Sequence, residues 1–286
     1  VARFVSRNEV NLNTAKDFLF ASLFIVVPFI VIVRQPDLST SMVFVAIALP
    51  MLYWAGLKLS NLFLIAMPIL IMLASFNFFT FLLLMVILVA YLVFSHRTKL
   101  ILISSFLLNI AMGLLTPVLW NHLKPYQRDR IKIFLNPEAD PRGAGYQIIQ
   151  SKVAIGSGGG MGKGFMQGSQ TQLRFLPEQH TDFIYAVIGE EFGFVGALSG
   201  LILYFILLIR GVQIASLVRS KFNSIVAIGI VTLIAFHMII NIGMTVGLLP
   251  VTGLPLPFVS YGGSALVTNM VMIGILLNFY RNRYEY

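Results

Sequence analysis

Hydropathy constrains this chain more than any other feature. Its apolar residues run almost continuously through 18–33, 40–57, 62–76, 78–94, 100–120, 183–209, 224–243 and 264–280. A membrane-crossing helix needs about 20 mainly apolar residues, and only a helix or a closed barrel satisfies its own backbone polar groups in hydrocarbon. The pattern predicts an all-α, polytopic membrane helix bundle of about eight spans. The run from 62 to 94 is too long for one span and divides near Asn77. Charged residues make up 11% of the chain, against about a quarter in a soluble domain. Cys is absent, which excludes a disulfide framework, a thiolate metal site and a Cys nucleophile.

Charge placement orients the bundle. With Arg3, Arg7 and Lys16 on the cytoplasmic side, the other short basic loops fall there too: Lys58, Arg97 with Lys99, Arg210 with Arg219 and Lys221, and Arg281 with Arg283. That is the positive-inside distribution, and it puts both termini in the cytoplasm. The net charge of +9 then reflects topology rather than a nucleic-acid partner. Residues 1–286 read as one transmembrane domain containing a single long extracytoplasmic loop, 121–182. The proline-rich stretch 249–263 lies on the same outer side. The polar start at Val1, without Met, reads as a fragment.

The outer loop is basic. Lys124, Arg128, Arg130, Lys132, Arg142, Lys152, Lys163 and Arg174 stand against Asp129, Glu138, Asp140 and Glu178. Such a surplus suits a phosphate or pyrophosphate ligand, or equally a solvated loop touching anionic headgroups. The glycine-rich run at 156–164 is not a nucleotide P-loop, which needs Gly at 157 and Ser or Thr at 164 where Ser157 and Gly164 stand. What remains is an anion cradle assisted by Lys163, or a flexible turn. Residues 147–155 predict a short amphipathic helix pressing Ile148, Ile149 and Ile155 on the membrane surface or the bundle.

Asp182 precedes the sixth apolar run, preceded in turn by Glu178, His180 and Thr181. As an N-cap, Thr181 or Asp182 would accept from free helix N–H groups. As an ionised carboxylate beside phosphate-binding cations, Asp182 would act as general base on a hydroxyl that attacks a carbon bearing a phosphate leaving group. Glu190 and Glu191 lie deeper in the same helix, where charges are costly unless paired; they read as a polar clasp, with His237 one candidate partner. Gly189, Gly193, Gly196 and Gly200 read as close helix packing. Pro250, Pro255 and Pro257 forbid a continuous helix and predict a re-entrant segment with Ser260 and Tyr261 at its polar tips. Asp37 follows Gln35-Pro36 as a helix cap or as a wall of the same outer cavity. The four His are scattered, so no metal site is predicted.

Gln-Pro-Asp-Leu at 35–38, Gly-Ala-Gly-Tyr-Gln-Ile-Ile-Gln-Ser-Lys at 143–152, Leu-Pro-Glu-Gln-His-Thr-Asp-Phe-Ile at 176–184 and Gly-Leu-Pro-Leu-Pro-Phe-Val-Ser-Tyr-Gly-Gly-Ser at 253–264 together resemble the SEDS family (shape, elongation, division, sporulation). The Gly-Lys-Gly-Phe at 162–165 and Gly-Ser-Gln-Thr-Gln at 168–172 resemble its RodA branch. The resemblance implies an inverting peptidoglycan glycosyltransferase of the bacterial cytoplasmic membrane. It would polymerise lipid II into β-1,4 glycan strands on the outer face and release undecaprenyl pyrophosphate. It implies Asp182 as the base that deprotonates the acceptor hydroxyl. Lys152, Lys163, Arg174, Glu178, His180, Ser260 and Tyr261 are expected to contact substrate, with Asp37, Glu190 and Glu191 in support. The implied partners are a class B penicillin-binding protein and other membrane proteins of the elongation complex. No cofactor is assigned, and a divalent cation stays open. Two departures from the family pattern stand out: its first helices and a Pro-Ser-Glu motif are missing ahead of Val1, and 61–94 holds one helix pair more than usual. A lipid-precursor flippase and a non-catalytic scaffold are the rival readings.

Overall fold

The structure is a computed structural model. It describes all residues except Pro36, 96–98, Arg142, Ala144, Arg174 and 285–286, and only the backbone of 99, 100 and 139. The expectations placed on Arg97, Arg142 and Arg174 therefore lie outside the described residues. Every regular element among those described is a helix. A short α1 (Ala2–Val5) leads into α2 (Ala15–Arg34), α3 (Leu38–Trp54), α4 (Leu59–Ala74), α5 (Phe78–Phe94) and α6 (Lys99–His122). After α7 (Pro125–Leu135), α8 (Tyr146–Gly158) and α9 (Ser169–Gln172) come α10 (Ile184–Leu217), α11 (Lys221–Thr245) and α12 (Gly263–Arg281). Each apolar run of the sequence thus lies in its own helix. Five of them, α2, α6, α10, α11 and α12, are long and apolar enough to cross a membrane, while α3, α4 and α5 are shorter apolar helices. The chain is a polytopic membrane helix bundle. The division near Asn77 has a local cause: the Asn77 side chain accepts from Phe79 N at 2.9 Å and caps α5.

The chain forms two compact units. Residues 57–128 hold α4, α5, α6 and the start of α7. There α4 packs on α5 and α6 around Met67, Ile71, Met85, Leu88 and Leu92. The other unit joins 1–56 to 129–286. In it α10 packs on α11 and α8, α11 on α3, and α3 on α2, around Ala215, Ala227, Ile230, Ile234, Met272 and Leu276. The Trp54 indole donates to Ser224 Oγ at 2.8 Å and that hydroxyl donates to Ala215 O at 2.5 Å, pinning the ends of α3 and α10 to the start of α11.

The outer loop is not loose chain. It contains α7, α8, α9 and a turn of 3-10 helix at Pro137–Ala139. Of these the sequence predicted only α8. Its Ile148 is buried and Ile155 is half-buried against the Phe183 and Ala186 cluster, so the apolar face meets the bundle. Ser151 Oγ donates to Thr245 O at 2.6 Å, filling one of the carbonyls left open at the end of α11.

Helix α10 is two helices meeting at Gly193, whose φ of 65° and ψ of −163° break the run. The glycine-rich loop after α8 takes up the backbone groups this break frees. Lys163 N donates to Glu190 O at 3.0 Å and Gly164 N to Glu191 O at 2.9 Å; Phe194 N donates to Gly159 O at 2.9 Å and Val195 N to Gly160 O at 3.1 Å. The small-residue reading of α10 thereby holds for Gly189 and is corrected for Gly193, Gly196 and Gly200. Gly193 is the break itself. A Cβ on Gly196 would meet only Phe192 and Ile188 of its own helix, and one on Gly200 would meet nothing within 4 Å. The close interhelical approach is made by Gly189, against Gly158 of α8.

Candidate active site

Asp182 sits in a tight turn just before α10. Glu178 adopts a left-handed φ of 53°, an uncommon conformation for a residue with a side chain. This directs its carbonyl onto three N–H groups: Thr181 at 3.2 Å, Asp182 at 3.1 Å and Phe183 at 3.2 Å. Those donors are satisfied by the turn, and α10 begins after Phe183 with no side-chain cap. The N-cap expectation for Thr181 and Asp182 is thus overturned, which leaves the Asp182 carboxylate available for another task. Burial raises its pKa above the ordinary carboxylate value, and the neighbouring Glu178 charge raises it further; the Thr181 hydroxyl and Arg130 act the other way.

The proline-rich segment is non-helical and is buttoned to this turn. Ser260 Oγ donates to Thr181 O at 2.5 Å and accepts from Leu256 N at 2.8 Å. Tyr261 N donates to His180 O at 2.8 Å. Asn241 on α11 donates to both Asp182 O, at 2.9 Å, and Leu254 O, at 2.8 Å. His237, one turn earlier on α11, bonds the Pro255 carbonyl, and Tyr204 OH donates to Pro257 O. Irregular backbone at membrane depth persists only when its polar groups find such partners. Gly253, at φ 76°, brings the segment against the carboxylate: a Cβ there would lie 3.4 Å from Asp182 Oδ2.

Two clefts meet at Pro177. One, of about 460 Å³, is lined by 176–181 and Tyr261, and here Glu178, His180 and Tyr261 come together at the surface. The other, of about 360 Å³, is lined by Arg130, Tyr146, Gln147, Ile148 and Val251 among others. Arg130 lies close enough to lower the pKa of both Asp37 and Asp182. Asp37 caps α3 through Thr40 N at 3.0 Å and Thr40 Oγ1 at 2.6 Å, and these bonds, the side-chain one foremost, hold its pKa below the usual value.

The remaining predicted residues gather elsewhere. Lys163 Nζ pairs with Glu190 Oε1 at 2.8 Å. The Glu190 carboxylate, with no exposed surface, also accepts from Gln170 N at 2.9 Å, Thr171 N at 3.1 Å and Thr171 Oγ1 at 2.7 Å. This is a clasp, as expected, but its cation is Lys163 rather than His237, which serves the proline-rich segment. The ammonium the sequence offered to a ligand is occupied by Glu190, and the N–H groups of Lys163 and Gly164 cap a helix instead of cradling an anion. Glu191 is buried beside it. Lys152 is exposed, its stem lying over Gly247. Ser260 is engaged as donor and acceptor within the protein. Sequence reasoning did not single out Arg130 or Asn241. Arg130 is one of eight loop cations and nothing in its spacing marks it, whereas an Asn deep in the mainly apolar α11 was a signal.

A model of the FTSW_RODA_SPOVE family, described as cell cycle proteins, matches residues 1–83 and 59–285, so that 59–83 fit the family pattern twice. The peptidoglycan glycosyltransferase MrdB of Escherichia coli K12 is 40% identical over 284 residues, covering 99% of this chain and 65% of its own length. The peptidoglycan glycosyltransferase RodA of Treponema pallidum is 36% identical over 292 residues, covering 92% of this chain and 67% of its own length. A solved structure described as structural coordination of polymerization and crosslinking by a peptidoglycan synthase complex superposes with a TM-score of 0.69 at 26% identity, covering 100% of this chain and 67% of that one. The chain spans about two thirds of the length of these relatives.

Proposed function

The chain belongs to the FtsW, RodA and SpoVE family of cell cycle proteins, and from that premise we propose that it is the catalytic part of a peptidoglycan glycosyltransferase that polymerises lipid II. The observation that carries this reading is a half-buried Asp182 carboxylate that caps no helix, in the turn whose Glu178, His180 and Thr181 line a surface cleft, with Arg130 close enough to act on its charge. Asp182 accepts the proton of an acceptor sugar hydroxyl. The hydroxyl oxygen bonds to the anomeric carbon of the donor as the bond from that carbon to the pyrophosphate oxygen breaks, with inversion. Undecaprenyl pyrophosphate leaves with the bonding electron pair. Arg130 is placed to balance the pyrophosphate charge, as a guanidinium does well. Glu178, His180 and Tyr261 line the neighbouring cleft, whose exposed polar groups suit a sugar. Lys163, Glu190, Glu191 and Ser260 support the site by holding its backbone, and Asp37 by its place beside Arg130. The site opens on the outer face of the cytoplasmic membrane, next to a class B penicillin-binding protein and the other elongation-complex proteins.

The test follows both products. The protein with its penicillin-binding partner, given lipid II, is expected to release prenyl pyrophosphate in step with glycan strands. In Arg130→Gln strand formation should slow and the KM for lipid II rise about tenfold or more, the scale of a lost charge-assisted contact. Release without strands, or neither product, would overturn the polymerase reading.

A further inference from the structure

We propose that Asn241 is a positioning residue for the reaction: its amide sets the backbone of Asp182 and thereby the direction of the carboxylate. This rests on the reading of Asp182 as the base. Asn241 has no exposed surface and lies in the mainly apolar second half of α11, between His237 and Thr245. Its two N–H bonds are divided between two separate pieces of chain, Asp182 O at 2.9 Å and Leu254 O at 2.8 Å. Both acceptors are carbonyls, so the orientation of the amide is not in doubt between its oxygen and nitrogen. Its Oδ1 is buried without a partner among the described residues. A buried, unmatched acceptor costs free energy that an apolar side chain would avoid, so the two donors are what this position supplies.

The neighbouring bonds show why the position matters. Ser260 reaches Thr181 O, Tyr261 N reaches His180 O, His237 reaches Pro255 O and Tyr204 reaches Pro257 O. Of these contacts between the proline-rich segment, α10, α11 and the turn, Asn241's is the one that ends on Asp182 itself. It also ties that residue to Leu254, next to the Gly253 that faces Oδ2. Without the fork, the Asp182 peptide loses its tether to α11 while the rest of the segment stays anchored. A base displaced by about 1 Å loses on the order of a hundredfold in rate without losing substrate affinity.

The experiment compares Asn241→Ala, Asn241→Ser and Tyr204→Phe in the full protein with its partner, measuring kcat, KM for lipid II and Tm. Asn241→Ala is expected to lower kcat about 10- to 100-fold with KM changed less than about threefold. Asn241→Ser keeps one hydroxyl donor and is expected to recover part of kcat. Tyr204→Phe removes a bond to the same segment that ends on Pro257 rather than on Asp182; it should lower Tm but leave kcat at the parental value. Parental kcat in Asn241→Ala would overturn the proposal. So would equal losses of kcat in Asn241→Ala and Tyr204→Phe that track Tm, which is the pattern of a purely structural bond. If Asn241→Ala does not fold, Asn241→Ser decides: a reduced kcat at unchanged KM supports the role and a parental kcat refutes it. An inactive Asp182→Asn beside a normal Asn241 variant would sink this inference alone, whereas an active Asp182→Asn would sink the reading it rests on.

Discussion

A carboxylate acts as a base only when ionised, and Asp182 is held where ionisation is disfavoured. Burial and then the Glu178 charge raise its pKa above the ordinary value. The polymerisation rate is therefore expected to fall as pH drops through a value above the usual carboxylate range. Glu178→Gln removes the neighbouring charge and should move that acid limb to lower pH; a limb that stays put, or moves up, would contradict the assignment. The same shift has a consequence for stability. A carboxyl whose pKa is raised in the fold contributes stability that is fully present below its unfolded pKa and lost as pH rises through the folded one. At neutral pH that contribution is absent, so Asp182→Asn should raise Tm there, and the gain over the parent should shrink on acidification. Such a trade of stability for a disfavoured charge is common at catalytic positions.

Helix α10 is held at its break by chain from outside it. Gly193 supplies the backbone angles, residues 159–164 cap both broken ends, and Glu190 gathers Lys163, Gln170 and Thr171 around one buried carboxylate. Glu190→Ala leaves the buried Thr171 and Gln170 donors without their carboxylate and is expected to cost about 3 kcal/mol, read as a clear fall in Tm in detergent. A Tm within about a degree of the parent would show that the clasp is not holding the break. The sequence made this hub half visible. Apolar runs placed every long helix, most ends within about three residues and the end of α10 eight residues short, and charged Glu190 in such a run had to be paired. The partner was hidden because Lys163 lies far along the chain, in a run whose glycines suggested a phosphate cradle. The capping role of Asp182 was misjudged for a similar reason: the carbonyl that satisfies its N–H belongs to Glu178 in a left-handed conformation, which residue type alone does not announce. The prolines at 250, 255 and 257 did announce a non-helical segment, but not the side chains of Asn241, His237 and Tyr204 that hold it.

For the whole molecule, polymerisation of a lipid-linked sugar outside the cell requires the Asp182 turn and the chain 121–182 on the outer face. The basic short loops imply this orientation, and the lack of native Cys makes it easy to measure. In intact spheroplasts, Glu138→Cys is expected to react with a membrane-impermeant maleimide, and Arg219→Cys only after permeabilisation; the reverse pattern would place the site on the wrong side for a lipid-linked sugar polymer. Fold, clamp and orientation converge on one carboxylate, so the most direct measurement is of product from that carboxylate's variant. The protein and the proposed class B penicillin-binding protein are reconstituted with lipid II beside an Asp182→Asn twin, and glycan strands are resolved on a gel. The account predicts strands from the parent and none from the twin, with partner binding intact in both. Strands from the Asp182→Asn twin at the parental rate would contradict it.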